Sequence, residues 1–315
     1  MRLETIGDDV YACLQEEPGI GFSNSGLLGA GGGVVIDTFW DLPHTRELLE
    51  HYARVLPEPA RRVVNTHHNG DHCWGNQLLS GAEIIGHRDC AKRFMDEKPE
   101  MMQMIKSADL SGQPALQKFA RALAPWDFEG IEPTPPTTLF DDRMSLELDG
   151  MTVELIHVGP AHTESDVIVH LPDQRVVFAG DIVFRLCTPV GWIGTFAGWI
   201  DALDRILALD PEVVVPGHGP LCGREGPRDM KAYLQHVLEE SRHFFERGLS
   251  ALDAARRIDL GPYEKWHEPE RLVFSVERAY REFRGEPADA PIDSAALFRD
   301  VGLLQEERWP VRDRV

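Results

Sequence analysis

The chain lacks a CxxC pair, and its five cysteines, Cys13, Cys73, Cys90, Cys187 and Cys222, are odd in number. That argues against a disulfide framework and for reduced thiols in a cytosol. No run of about 18 apolar residues occurs, so no transmembrane helix is expected. The opening stretch MRLETIGDDVYACLQEEPG is acidic and has no apolar h-region, so no signal peptide is expected. Basic tracts are missing as well: 32 Lys and Arg against 52 Asp and Glu leave a formal charge of -20. Phosphate binding needs clustered cations, which disfavours a nucleic-acid partner. These absences describe a cytoplasmic protein with neither membrane nor nucleic acid as partner. They leave a small-molecule substrate and allow a homodimer.

What is present is ordinary for a globular chain, with 43% hydrophobic and 27% charged residues. At 315 residues it can bury a proper core as one large domain or two small ones. VYACLQ alternates, and GLLGAGGGVVIDT is a glycine-rich turn followed by a buried strand ending at Asp37. LPHTRELLEHYARVL has helical period, RRVVNTHH is a second strand, and QLLSGAEIIGHRDC reads as helix end, turn and strand. Residues from about 88 to 128 are helical in character and Met-rich, an insertion packed over the core. RMSLELDG, MTVELIHVG, SDVIVHLPD and RVVFAGDIVF are strands whose LDG and LPDQ turns imply hairpins. A helix, DALDRILALD, precedes the buried strand EVVVPGHG, and from about 227 onward the pattern is mostly helical. Hairpins mixed with single helices predict a layered α/β sandwich in place of a doubly wound parallel sheet.

The His and Asp groups of interest all sit where a predicted strand ends or breaks. NTHHNGDHCWGN follows RRVV, GPAHTESD follows TVELIHV, GD interrupts AGDIVF, and PGHG follows EVVV. Strand-end loops on a rigid sheet commonly carry binding residues. One histidine among 13 means little, since most are structural or on the surface. Several such loops together suggest a borderline divalent cation such as zinc, manganese or iron.

On these motifs the chain resembles the metallo-β-lactamase superfamily, with its H-x-H-x-D-H run, a single His, an Asp in a G-D pair and a final His in a G-H-G turn. The matching residues are His67, Asp71, His72, His162, Asp181 and His218, over roughly residues 1 to 225. The resemblance implies a four-layer αββα sandwich of two mixed sheets in residues 1–225, with the helical insertion, and a helical C-terminal extension over 226–315. It implies two metal sites at one sheet edge: His67, the residue at 69 and His162 for the first, Asp71, His72 and His218 for the second, and Asp181 bridging. One or two Zn²⁺ ions are expected, with Fe or Mn also compatible.

Position 69 departs from that pattern, because Asn69 stands where the family has His. An amide oxygen is a poorer donor than imidazole for zinc or iron, so a weakened first site beside an intact second one is expected. Asn69 is then a weak ligand, a hydrogen-bonding partner of substrate or bound water, or the mark of a site with little catalysis left. His68, in an extended stretch, points away from 67 and 69 and is read as a supporting or outward-facing residue.

The remaining candidates carry plainer readings. Cys73 is a small buried residue opening a helix, and not a thiolate ligand. Asp37 holds nearby backbone or a ligand loop. Glu164 or Asp166 either orients a ligand imidazole or is a solvated loop carboxylate. His87, His157 and His170 are structural. Trp192, Phe196 and Trp199 either wall a pocket or pack the core, and the segment MDEKPEMMQM is either an apolar cap or core filler.

The resemblance implies a metal-dependent hydrolase of an ester, thioester, lactone or amide bond. Water on a divalent metal has a pKa near ~7 and can attack at neutral pH. Asp71 or Asp181 would orient that water, and Asn69 would serve the oxyanion or the water. A cyclase, lyase or iron-dependent redox enzyme, and a non-catalytic metal-containing binding protein, are the alternatives.

Overall fold

A computed structural model describes residues 1–310 apart from 18, 192 and 289. Twelve strands are described: β1 (Arg2–Gly7), β2 (Val10–Leu14), β3 (Asn24–Leu28), β4 (Val34–Ile36), β5 (Arg62–Val64), β6 (Glu83–His87), β7 (Thr138–Phe140), β8 (Arg143–Leu148), β9 (Met151–His157), β10 (Val167–Leu171), β11 (Val176–Phe184) and β12 (Val213–His218). They form a seven-stranded sheet in the order β1-β2-β3-β4-β5-β6-β7 and a five-stranded sheet in the order β12-β11-β10-β9-β8. Both sheets are mixed. β1 to β4 pair antiparallel and β4 to β7 parallel, while β11 runs parallel to β12 and antiparallel to β10. The hairpin signals LDG and LPDQ turn β8 into β9 and β10 into β11 as antiparallel neighbours.

The two sheets stack face to face. Leu14, Ile36, Val64 and Ile85 of the first meet Leu155, Val169, Phe178 and Val215 of the second. β11 is buried along its whole length, Asp181 included, with apolar residues on both sides of its Gly180-Asp181 pair.

Ten α-helices occur among the described residues: α1 (Leu42–Tyr52), α2 (Gly70–Cys73), α3 (Arg88–Arg93), α4 (Pro99–Ser107), α5 (Pro114–Ala122), α6 (Phe196–Ala208), α7 (Glu225–Glu246), α8 (Ala251–Ala255), α9 (Leu272–Phe283) and α10 (Ser294–Arg308). α1 begins at the N-cap Asp41 and lays Leu48 and Tyr52 on Val35 and Val63 of the first sheet. α6, α7 and α9 cover the second sheet, with Leu203, Tyr233 and Val276 in one cluster with Ile168 and Val177. The result is an α/β sandwich of four layers, αββα. The segment of α3 to α5 closes on Trp40 and Trp74 through Phe94, Leu123, Trp126 and Phe128. The amide of Asp127 donates to Asp41 at 2.9 Å, tying that segment to the start of α1. No helix among the described residues is long and apolar enough to cross a membrane.

Candidate metal centre

Strand ends deliver most of the donor groups. β5 stops at Val64, and the chain turns through Thr66 into His67. Asp37, just past β4, fixes that turn, its carboxylate accepting the amide and the hydroxyl of Thr66, each at 2.7 Å. The single turn α2 then presents Asp71 and His72. After β9, the carboxylate of Asp166 accepts the amide of Thr163 at 2.8 Å and its hydroxyl at 2.7 Å. That closes the loop carrying His162. Asp181 lies within β11, and His218 ends β12. β12 passes so close that a Cβ on Gly217 would fall 1.9 Å from Asp181 Oδ1, so only glycine fits there without displacement.

These side chains converge on Asp181. Its carboxylate lies 3.1 Å from Nε2 of His72, 3.3 Å from those of His162 and His218, and 3.8 Å from that of His67. Asp71 Oδ2 is 3.5 Å from Nε2 of His218 and 4.0 Å from that of His72. The donor atoms of His67, His72 and Asp181, and those of Asp71, His72 and His218, form two groups, each within 4.8 Å. His162 belongs to neither group by that measure, and it approaches through Asp181 and Asn69.

The imidazoles share one orientation. Nδ1 of His72 donates to Asp37 at 3.0 Å, that of His162 to the Val190 carbonyl at 2.7 Å, and that of His218 to the Phe22 carbonyl at 2.8 Å. Nδ1 of His67 lies 3.0 Å from the Thr66 hydroxyl, whose own proton goes to Asp37. These partners accept, so each Nδ1 carries the proton and each Nε2 turns a lone pair inward. His67 Nε2 and Asp181 Oδ1 are buried with no hydrogen-bond partner. Inward lone pairs around carboxylates fit a divalent cation of the zinc, iron or manganese type, and imidazoles oriented through Nδ1 are usual around such ions.

Electrostatics agree with that fit. Burial holds His67 well below the ordinary imidazole range and His162 at about 4. Burial also opposes charging of His72 and His218, but the carboxylates of Asp181 and Asp71 outweigh it and raise both. Burial would raise Asp181 too, yet His218, His72 and His162 keep its carboxyl well below the usual range. The carboxylates demand positive charge here, and a cation among the Nε2 atoms supplies it while the imidazoles stay neutral.

A family model described as the metallo-beta-lactamase superfamily matches residues 18–218, more than half of the chain. The chain belongs to the metallo-beta-lactamase superfamily. It is 23% identical over 318 residues to a linear primary-alkylsulfatase of Pseudomonas sp. (strain ATCC 19151), covering 88% of this chain and 59% of that protein. It is 26% identical over 229 residues to the 2,4-dinitroanisole O-demethylase subunit alpha of Nocardioides sp. (strain JS1661), covering 69% of this chain and 55% of that one. The chain thus spans less than two thirds of the length of both curated relatives. The solved structure of the stereoselective inverting sec-alkylsulfatase Pisa1 from Pseudomonas sp. shares the fold at a TM-score of 0.67 and 18% identity, over 93% of this chain and 51% of that one.

Within this superfamily fold, Asn69 is the N-cap of α2, with extended backbone, but its side chain does not cap that helix. Its Nδ2 donates to Glu97, and its Oδ1 lies 2.9 Å from His162 Nε2. His68 is buried, with Nδ1 3.1 Å from the Ser165 hydroxyl, and it lines the cavity beside the centre without joining either donor group. Cys73 is buried, and its thiol points at the carbonyls of His68 and Asn69. Neither Glu164 nor Asp166 orients an imidazole of the centre: Glu164 pairs with Arg93 at 2.8 Å, Asp166 serves Thr163, and the partner of His162 Nδ1 is a backbone carbonyl. His87 and His157 stack at 3.9 Å, and His170 pairs with Glu154 at 2.9 Å. Phe196 and Trp199 are core residues, with Trp199 backing the His162 ring at 5.7 Å, while Trp192 lies outside the described residues. Glu97 and Thr66 were not read from the sequence; nothing distinguishes Glu97 from its acidic neighbours in MDEKPE until the fold brings it to the His67–His72 loop.

A cavity of about 490 Å³ opens over the centre. Asn69, Asp71, His162, Asp181 and His218 form its floor, and Trp40, Met102, Phe119, Phe274 and Phe298 are among its apolar walls. Met102 is thus the part of the Met-rich segment that faces the cavity, whereas Met95, Met101 and Met104 are exposed. A second cavity of about 560 Å³ adjoins it and shares Ile20, Phe119, Arg271, Phe274 and Phe298.

Proposed function

We propose that the chain is a metal-dependent hydrolase that cleaves an ester-type bond, carboxylic, thio- or sulfate ester, in a small molecule with an apolar tail. The observation that carries this reading is the common inward orientation of Nε2 on His67, His72, His162 and His218 around Asp181. His67, Asp71, His72, His162, Asp181 and His218 are the metal-holding residues in this reading, with zinc the first choice and iron or manganese also suited. A divalent cation there supplies Lewis acidity and brings the pKa of a water to ~7. Asp71, at the cavity floor, would help hold the cation and orient the attacking water. Asp181 fixes the positions of the surrounding imidazoles. Asn69 donates one N–H to Glu97 and turns its oxygen to the centre, where it acts as an acceptor and not as an oxyanion donor.

The apolar walls suit a hydrocarbon tail, and the alkylsulfatase relative supports including sulfate esters. Five free, buried cysteines support a reducing, cytoplasmic setting. The test is metal analysis of the purified protein, with turnover of ester, thioester, lactone and alkyl sulfate substrates before chelation, after it, and after metal is restored. Bound metal, turnover abolished by chelation and recovery on zinc addition are expected. Metal bound tightly with no turnover of any such substrate would overturn the hydrolase reading.

A further inference from the structure

Asparagine is a favoured N-cap because its side-chain oxygen ordinarily accepts an amide of the first helical turn. Asn69 occupies the N-cap of α2 and does not do this. The carboxylate of Glu97, from the loop between α3 and α4, holds this turn at two points: Oε2 accepts the amide of Gly70, the first residue of α2, at 2.9 Å while Oε1 accepts an N–H of Asn69 Nδ2. Arg93 bridges Asp96, the residue before Glu97, at 3.2 Å and Glu164 at 2.8 Å. With one Nδ2 N–H of Asn69 held by Glu97, the plane of its amide is set and Oδ1 is turned toward the centre. That oxygen lies 2.9 Å from Nε2 of His162, whose proton sits on Nδ1 and goes to the Val190 carbonyl. Two acceptors therefore face each other, an arrangement that a cation bound beside both would relieve and a hydrogen bond does not.

We infer that Glu97 is a positioning residue that turns the Asn69 oxygen into the donor standing where the superfamily pattern has imidazole. The inference rests on the metal-dependent reading of the site. It makes the insertion, through one carboxylate with two acceptor oxygens, part of the equipment that holds a cation beside His162.

Glu97→Gln keeps the shape and removes one acceptor, so the side chain can no longer serve both Gly70 and Asn69. Zinc stoichiometry and affinity are to be measured by competition with a chromophoric chelator for the unsubstituted protein, Glu97→Gln, Asn69→His and the double variant, with thermal melts of the metal-free forms as a folding control. The expected result is a ~10-fold or greater loss of zinc affinity at one site in Glu97→Gln. Little further loss is expected from Glu97→Gln in the Asn69→His background, because an imidazole needs no turning by Glu97. Unchanged affinity in Glu97→Gln, or an equal loss in both backgrounds, overturns the inference, the second by assigning Glu97 a merely structural role. The unsubstituted protein tests the underlying reading separately: if it takes up no zinc, the metal-dependent function falls, and this inference with it.

Discussion

The carboxylate of Asp37 lies 3.0 Å from Nδ1 of His72 and also accepts the amide and hydroxyl of Thr66. One side chain thereby sets the tautomer of His72 and, through the Thr66 hydroxyl, that of His67. Asp37 adopts a left-handed backbone, φ 58°, which costs an L-residue of this kind about 1 kcal/mol or more. Asp37→Asn places an N–H where one of these acceptors was. We expect zinc affinity to fall ~10–100-fold, the range typical for loss of an outer partner of a metal-binding imidazole. Competition titration checks this, and unchanged affinity would remove Asp37 from the proposed metal-binding assembly.

Gly217 tests the close approach of β12 to β11. A Cβ there meets Asp181 Oδ1 at 1.9 Å, and Gly180 and Asp181 backbone atoms at 2.8 and 2.9 Å. Gly217→Ala must push the carboxylate away from the imidazoles or spread the strands. Overpacking of this kind costs about 1–3 kcal/mol, so the melting temperature should drop by several degrees and zinc retention should fall with it. A variant that keeps both stability and metal would show that Asp181 has room the structure does not provide.

The His and Asp cluster was legible because most of its side chains follow strands, beside glycine or proline, in a recognisable order. Position 69 stood out for the same reason. What decides the geometry was not legible. The acceptors for His162 and His218 are the carbonyls of Val190 and Phe22, and any residue carries a carbonyl. Glu97 sits among solvated carboxylates in sequence and reaches α2 only through the packing of Phe94, Leu123 and Trp126 against Trp40 and Trp74. The layered sandwich followed from hairpins and single helices, whereas the parallel pairing of β4 through β7 depends on contacts distant in sequence. Glu164 and Asp166 lie near His162 in sequence, but their partners proved to be Arg93 and Thr163.

The buried thiols give the protein a pH dependence of definite sign. Burial pushes Cys13, Cys187 and Cys222 up to about 12, and raises Cys73 and Cys90 as well. An unfolded thiol ionises near ~8.5. Below that value the folded and unfolded states bind equal numbers of thiol protons. Above it the unfolded chain holds fewer, so stability falls as pH rises. At pH ~9.5 each thiol contributes about 1.4 kcal/mol of that loss. Thermal melts in reductant at pH 7.5, 8.5 and 9.5 should show it, with a smaller drop in Cys13→Ala. In the native protein at pH 8, a thiol reagent should modify the cysteines only at the rate of unfolding. Rapid native labelling would contradict their burial.

Phe119 and Phe298 stack at 4.1 Å where the cavity over the centre meets the second cavity between α5 and α10. A tail lying along the apolar walls gains up to about 0.8 kcal/mol for each methylene it buries, or up to ~4-fold in kcat/KM. Under the proposed hydrolase function, kcat/KM should climb with chain length until the tail reaches this pair and then level off. Phe298→Ala removes one ring of the stack and joins the two cavities. Longer tails should then continue the climb, with short-chain substrates little affected, since they do not reach the pair. Kinetics over a homologous ester or alkyl sulfate series decides the matter. If unsubstituted protein and Phe298→Ala level off at the same length, the tail does not run toward α10. If short substrates lose as much as long ones, the Phe119–Phe298 pair supports the cavity wall and does not measure the tail.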